Sequence, residues 1–333
     1  MSGRGLRPLR FLVVLACLAL VPAACGSPDP ALSQPAAAAA QPAAKILFAQ
    51  KGDIYEWDGS SIHQLTKLGD ASYPRWSSDG SQFVFVRSGD AYSDIWTANA
   101  DGSALKQLTR DQPTGQIGTL DYVNNAVWAL DPVWSRAGDD IAFVSDRGTP
   151  QNYVWLIRGV GSNAVRVPGS TVNGDNVEHP DFSPDGKQLV FAQRVQSQTN
   201  SLDRWTQIWK VDLTTGQLSP VVKTDSGSFD PAWSPDGKWI AYVGRTGTAD
   251  DLWVIPAQGS GQAVKLTSTG NVVSPTWAPD GSGIAFLQTD GVTFQASYIS
   301  FSVDASGAPQ VGKVQNLFTA PLIDAVSGLS WAP

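Results

Sequence analysis

The 333-residue chain is poor in the side chains on which metal, redox and disulfide chemistry are built. Its two cysteines, Cys17 and Cys25, exclude a disulfide framework and a four-cysteine zinc site. Its two histidines, His63 and His179, exclude a three-histidine metal centre, and no metal or other cofactor is expected. Charged residues make up only 16% of the chain, against about 25% in ordinary globular proteins. The balance is also acidic. Formal net charge is −7, and without Arg4, Arg7 and Arg10 of the leader 20 basic residues face 30 acidic ones. Affinity for nucleic acid rests on neutralising phosphates and needs the opposite sign, so no nucleic-acid partner is expected. What the chain has in quantity is tryptophan (13), glycine (32) and proline (22). With 42% hydrophobic residues it can fill a core. That composition suits many short strands punctuated by turns, an all-β protein.

Residues 1–24 combine a basic start, the apolar run Phe11–Val21 and a small-residue junction, Ala23-Ala24, before Cys25. This is the pattern of a secretory signal, too short for a stable membrane span. With cysteine directly after the junction it resembles the bacterial lipoprotein signal, which implies lipid attachment at Cys25. Residues 25–44 are rich in alanine and proline. Pro28, Pro30, Pro35 and Pro42 rule out one continuous helix. As an extended tether at ~3.1 Å per residue the segment reaches roughly 60 Å. The expected location is the cell envelope, with a lipidated N-terminus on a membrane and the folded body outside the cytoplasm.

From Lys45 the sequence repeats, and repeats decide the fold before any motif does. The anchor reads YPRWSSDG (73–80), DPVWSRAG (131–138), HPDFSPDG (179–186), DPAWSPDG (230–237) and SPTWAPDG (274–281), with a truncated LSWAP at 329–333. Behind each full anchor follow an apolar strand such as QFVFVR (82–87), a second such as DIWTAN (94–99), and a weaker third such as LKQLT (105–109). These runs are β-branched and aromatic, and the Asp-Gly steps between them supply the positive φ of tight hairpins. The stretch 45–66 supplies three strands without an anchor, and 329–333 an anchor without followers. Joined, they complete a sixth unit and close a ring, which protects strand edges. At about 48 residues per unit the pattern predicts an all-β six-bladed β-propeller over residues 45–333, with four-stranded blades and 3+1 terminal closure. The Pro-x-Trp-Ser-Pro-Asp-Gly anchor and the Leu-Thr ending resemble the TolB-type, WD40-like (PD40) propeller repeat. That resemblance covers nearly all of residues 45–333.

The anchor aromatics Trp76, Trp134, Phe182, Trp233, Trp277 and Trp331 recur in register, as inter-blade packing requires. Arg87, Arg147, Arg194 and Arg245 follow the second strand, and Asp53, Asp94 and Asp251 open the third. Their simplest reading is Arg–Asp pairing across hairpins. The positions before the anchor proline do not repeat: Tyr73, Asp131, His179, Asp230, Ser274 and, by alignment, Gly328. On innermost strands these residues ring the channel mouth, and Glu178-His179 is the one acid–imidazole pair in the sequence. Two insertions break the symmetry, the 21-residue link from Arg110 to Leu130 and the hairpin from Arg194 to Thr206. Both belong to one face of the propeller, and long loops on rigid scaffolds are frequent binding elements. The candidate binding rim is therefore Tyr73, Asp131, Glu178, His179, Asp230, Tyr122, Trp128, Arg204 and Trp205.

Two functions remain at this point. The first is a non-enzymatic, envelope-anchored monomer that binds a protein, peptide or glycan through one propeller face. The second is a hydrolase or lyase with an acidic/histidine site at the channel mouth. The chain has no Gly-x-Ser-x-Gly elbow and no His-Glu-x-x-His helix, so the first is favoured.

Overall fold

A computed structural model describes residues 45–170, 176–196 and 204–333. The expected signal segment and tether, with Cys25, lie outside these described residues. The rest forms five four-stranded antiparallel sheets and one five-stranded one, arranged as the six blades of a propeller. Blade 1 joins the two ends of the chain: Leu329–Trp331 is its inner strand, followed by Ile46–Gln50, Asp53–Trp57 and Ile62–Gln64. Trp331 pairs with Ile46 and Leu329 with Phe48, so three N-terminal strands and one C-terminal strand close the ring. The inner strands of blades 2 to 6 are Ala71–Trp76, Ala129–Trp134, Val177–Phe182, Ser228–Trp233 and Val272–Trp277. Blade 6 departs slightly, because its long third strand, Phe294–Val303, pairs with two short outer segments, Pro309–Val311 and Gln315–Thr319.

The core divides as a closed ring demands. Six separate hydrophobic clusters are present, each shared by two neighbouring blades. The cluster that seals the ring combines Ile46, Phe48 and Trp331 of blade 1 with Leu287, Ala296 and Tyr298 of blade 6. All six anchor aromatics are buried. The aromatics one strand further out, Tyr55, Trp96, Trp155, Trp209 and Trp253, are only partly buried. Basic side chains lie over four of them, as with Arg87 over Trp96 at 5.0 Å and Lys265 over Trp253 at 5.9 Å, a favourable cation–π arrangement.

The arginines and aspartates pair differently from the sequence expectation. Among the described residues, Arg245 closes a hairpin, with Asp250 at 2.8 Å. Arg87 and Arg147 instead reach back to Asp70 and Asp111 in the link entering their blade. The aspartates that open third strands serve another purpose. Asp53, Asp94 and Asp251 each accept the hydroxyl of the Thr in the Leu-Thr ending: Thr66, Thr109 and Thr267. Each threonine oxygen in turn accepts the backbone N–H of Ile54, Ile95 or Leu252. The hydroxyl thus satisfies a buried donor together with a carboxylate that is buried at Asp94 and Asp251 and half-buried at Asp53, which is why threonine recurs there.

Candidate functional site

Each full anchor carries a β-bulge, which interrupts pairing between Ser72 and Arg75 in blade 2 and at the equivalent points of blades 3 to 6. The residue before the anchor proline takes positive φ in all five full units, Tyr73, Asp131, His179, Asp230 and Ser274 at 48–54°, and so does the aligned Gly328 before Leu329, at 67°. For non-glycine residues this region costs on the order of 1–3 kcal/mol and persists only where surroundings enforce it. Gly328 has its own reason for being glycine. A Cβ there would stand 3.2 Å from both Arg75 Nη2 and Ser274 Cβ.

The bulges bring Asp131, His179, Asp230 and Ser274 together on the wall of a central channel of about 210 Å³. Neighbouring blades are tied there through side chains. Asp131 Oδ2 accepts the backbone N–H of His179 at 3.2 Å, and Asp230 Oδ2 that of Ser274 at 2.8 Å. Ser274 Oγ donates to the carbonyl of Ala325. The imidazole lies between two carboxylates, with Nδ1 3.0 Å from Asp230 Oδ1 and Nε2 3.7 Å from Asp131 Oδ1. Burial disfavours the charged imidazole, but Asp131, Asp230 and Glu178 together outweigh it and raise the His179 pKa. Burial also raises the pKa of Glu178 and of Asp181.

Two residues along each inner strand stands a second tier that the sequence reading missed: Arg75 and Asp181 among smaller neighbours. Arg75 Nη1 donates to the carbonyls of Pro74 and Ser327, and Asp181 Oδ2 accepts the Trp233 N–H at 2.6 Å. Alternation along the strand was the available signal, since residues two apart share a face.

The remaining rim candidates scatter. Tyr73 is half-buried and packs into the cluster between blades 2 and 3. Tyr122, expected on the rim, is buried: it sits on the short helix Leu120–Asn124, capped by Thr119. Trp128 is exposed, with its backbone N–H held by Asp146. Trp205 is half-buried opposite Val195 in an extended hairpin. Arg204 opens that strand, and its side chain lies outside the described part. Around them the upper face, which carries the links between blades and the hairpins between second and third strands, exposes aliphatic residues. Ile117, Leu120 and Val123 line the helical link, Val292 tips a hairpin, and Leu322 and Val326 lie on the link into blade 1.

Among the described residues no cluster of three or more His, Cys, Asp or Glu side chains is arranged to hold a metal ion. No helix there is long and apolar enough to cross a membrane.

This architecture defines a closed six-bladed β-propeller with a polar channel. Among solved structures it is similar to TolB from Acinetobacter baumannii, at a TM-score of 0.64 and 18% identity over 87% of this chain and 67% of that one. The fold is therefore that of a TolB-like propeller. The family described as the dipeptidyl peptidase IV (DPP IV) N-terminal region matches residues 183–276. The uncharacterized peptidase YuxL of Bacillus subtilis is 38% identical over 56% of this chain and 31% of its own length. The Tol-Pal system protein TolB of Francisella tularensis subsp. holarctica is 28% identical over 59% of this chain and 52% of its own. The chain thus matches about half or less of the length of these two relatives.

Proposed function

We propose that this protein is an exported, non-enzymatic binding protein of the cell envelope, lipid-anchored through Cys25, that captures a protein or peptide on its upper face. The TolB-like fold and the Tol-Pal relatives support an envelope-related binding role. The observation that carries the reading is the exposed set Ile117, Leu120, Val123, Trp128, Val292, Leu322 and Val326 on the loops of this face. Large apolar side chains exposed on the loops of one face mark an interaction surface and favour a polypeptide over a glycan. The helical link is capped by Thr119 and buries Tyr122, so it offers its aliphatic side chains from a formed element.

Crosslinking followed by capture from solubilised envelope tests the idea when Leu120→Asp and Trp128→Ala are run beside the parent. A partner retained by the parent and lost by both variants supports it. Equal retention by all three overturns it. Anchoring has its own test: the intact mass of the mature protein should show acyl chains on Cys25 and lose them in Cys25→Ser.

The match of residues 183–276 to a peptidase-associated family favours a second reading, in which the propeller serves peptide hydrolysis. Turnover of fluorogenic peptides by the purified chain, abolished by His179→Gln, would favour it over binding alone.

A further inference from the structure

One local chemistry recurs on this protein: an arginine lies over an aromatic ring and pairs with a carboxylate. Arg87 covers Trp96 at 5.0 Å and pairs with Asp70 at 2.8 Å. Arg147 covers Trp155 at 5.3 Å and pairs with Asp111 at 2.6 Å. Arg245 covers Phe229 at 4.8 Å and pairs with Asp250 at 2.8 Å. A further group of rings and carboxylates has no such cation. It lines a cleft of about 420 Å³ between blades 5 and 6, where Trp239, Trp277 and Phe301 stand with the exposed Asp236, Asp280 and Val303. Hairpins between first and second strands and the end of a third strand form this cleft, so it lies on the lower face, opposite the exposed aliphatic loops.

Two of its aromatics break the repeat. Trp239 stands where blades 2, 3, 4 and 6 have Gln82, Asp140, Gln188 and Gly283. Phe301 stands where blades 2 to 5 have Ala100, Gly159, Leu213 and Ala257. Phe301 meets Trp239 at 5.8 Å and Trp277 at 5.0 Å, both edge to face, and Trp239 stays partly exposed. Among the described residues no cation lies over these three rings. Asp236 pairs at 3.4 Å with Lys238, whose side chain is largely exposed. Asp280 Oδ1 accepts the Ser282 N–H at 2.9 Å, and the carboxylate makes no ion pair among the described residues. The arginines of this face are engaged elsewhere: Arg136 reaches past blade 4 to the Trp233 carbonyl at 3.2 Å, and Arg158 pairs with Asp140 at 2.9 Å.

We propose that this cleft takes an arginine side chain from a partner polypeptide, its guanidinium on the face of Trp239 and its fork on Asp280. Guanidinium suits both contacts at once, being planar, weakly hydrated and forked, whereas lysine brings a point charge without a stacking plane. The cleft is larger than one side chain and continues to Val303, which is 43% exposed. That apolar extension favours a polypeptide over a small guanidinium compound. The site lies on the face opposite the aliphatic loops, so it stands or falls independently of capture there.

Two-dimensional NMR of the indole N–H groups in the purified full chain in detergent tests the assignment, with the Trp239 signal identified by its loss in Trp239→Phe. The probes are N-acetyl-Gly-Arg-Gly amide, its lysine and citrulline forms, and guanidinium chloride. The arginine peptide should shift that signal saturably, half-saturating below about 10 mM, and each other probe should bind at least about threefold more weakly. Asp280→Asn keeps the oxygen that accepts the Ser282 N–H. It should therefore melt with the parent while losing most of the preference for arginine over citrulline. Equal or tighter binding of any other probe, an undiminished arginine preference in Asp280→Asn, or no saturable shift would each overturn the assignment.

Discussion

Asp230 Oδ1 lies 3.0 Å from His179 Nδ1, while the other oxygen of the same carboxylate accepts the Ser274 N–H. One side chain thereby links blades 4, 5 and 6 around the channel. Replacing it with alanine strands a buried donor and removes the imidazole's partner. A stranded buried N–H costs about 1–3 kcal/mol, so Asp230→Ala should melt several degrees lower. Asp230→Asn, which keeps an acceptor for Ser274, should lose less. Calorimetric melting of the pair checks the order, and equal losses would remove the blade-linking role.

Protonation of His179 couples this ring to pH. Its folded pKa is raised above the ordinary value of 6.5. The stabilisation it contributes is therefore complete below about 6.5, its unfolded value, and fades as pH rises through the folded value. Burial raises Glu178 and Asp181 as well, and each weakens the fold as pH climbs through its own folded value. The groups facing the imidazole are Asp131, Asp230, Glu178 and Arg75. The melting gap between the parent and His179→Gln should be larger at pH 6 than at pH 9. A gap that does not change with pH would mean the imidazole is neutral throughout.

Much of the fold was legible because propeller blades repeat their chemistry. Trp76, Trp134, Phe182, Trp233, Trp277 and Trp331 recur in register, and all are buried between blades. The split blade could be read from complementary fragments at the two ends, and Trp331 does pair with Ile46. The site was less legible because its geometry is not periodic. The bulge that turns Asp131, His179 and Asp230 toward one another depends on positive φ at residues that do not ordinarily favour it. Arg136 escaped notice because its reach across two blade boundaries is invisible in sequence spacing. Tyr122 misled for the opposite reason: an aromatic in an irregular link suggests a surface contact, yet here it is buried.

Closure of blade 1 by five C-terminal residues predicts strong dependence on them. Removing Leu329–Pro333 deletes the inner strand, Trp331 and Ser330 Oγ, which accepts the Trp76 N–H at 3.0 Å. Loss of one buried Trp alone costs about 3–5 kcal/mol, and the unpaired edge of Ile46–Gln50 becomes a template for association. The truncated protein should aggregate or melt far below the parent in light-scattering and thermal scans. An unchanged melting curve would show that the ring closes without this strand.

Trp128 and Trp205 both lie outside the repeat pattern, but their surroundings separate them. Trp128 is exposed beside the helical link, and its only hydrogen bond to Asp146 is through the backbone, which alanine preserves. Trp205 sits half-buried opposite Val195, itself buried, in the longest hairpin of blade 4. Aromatic–aliphatic pairs across strands contribute about 0.2–1 kcal/mol. Trp128→Ala should therefore leave the melting temperature unchanged and weaken partner capture, because exposed aromatics often dominate interface energy. Trp205→Ala should lower the melting temperature modestly, with a smaller effect on capture. Thermal scans and crosslinking on the same preparations decide the matter. If Trp128→Ala melts several degrees lower, that ring is structural and the upper face loses its aromatic contact. If neither variant changes capture, the partner contacts only the aliphatic knob formed by Ile117, Leu120 and Val123, and Leu120→Asp becomes the discriminating variant.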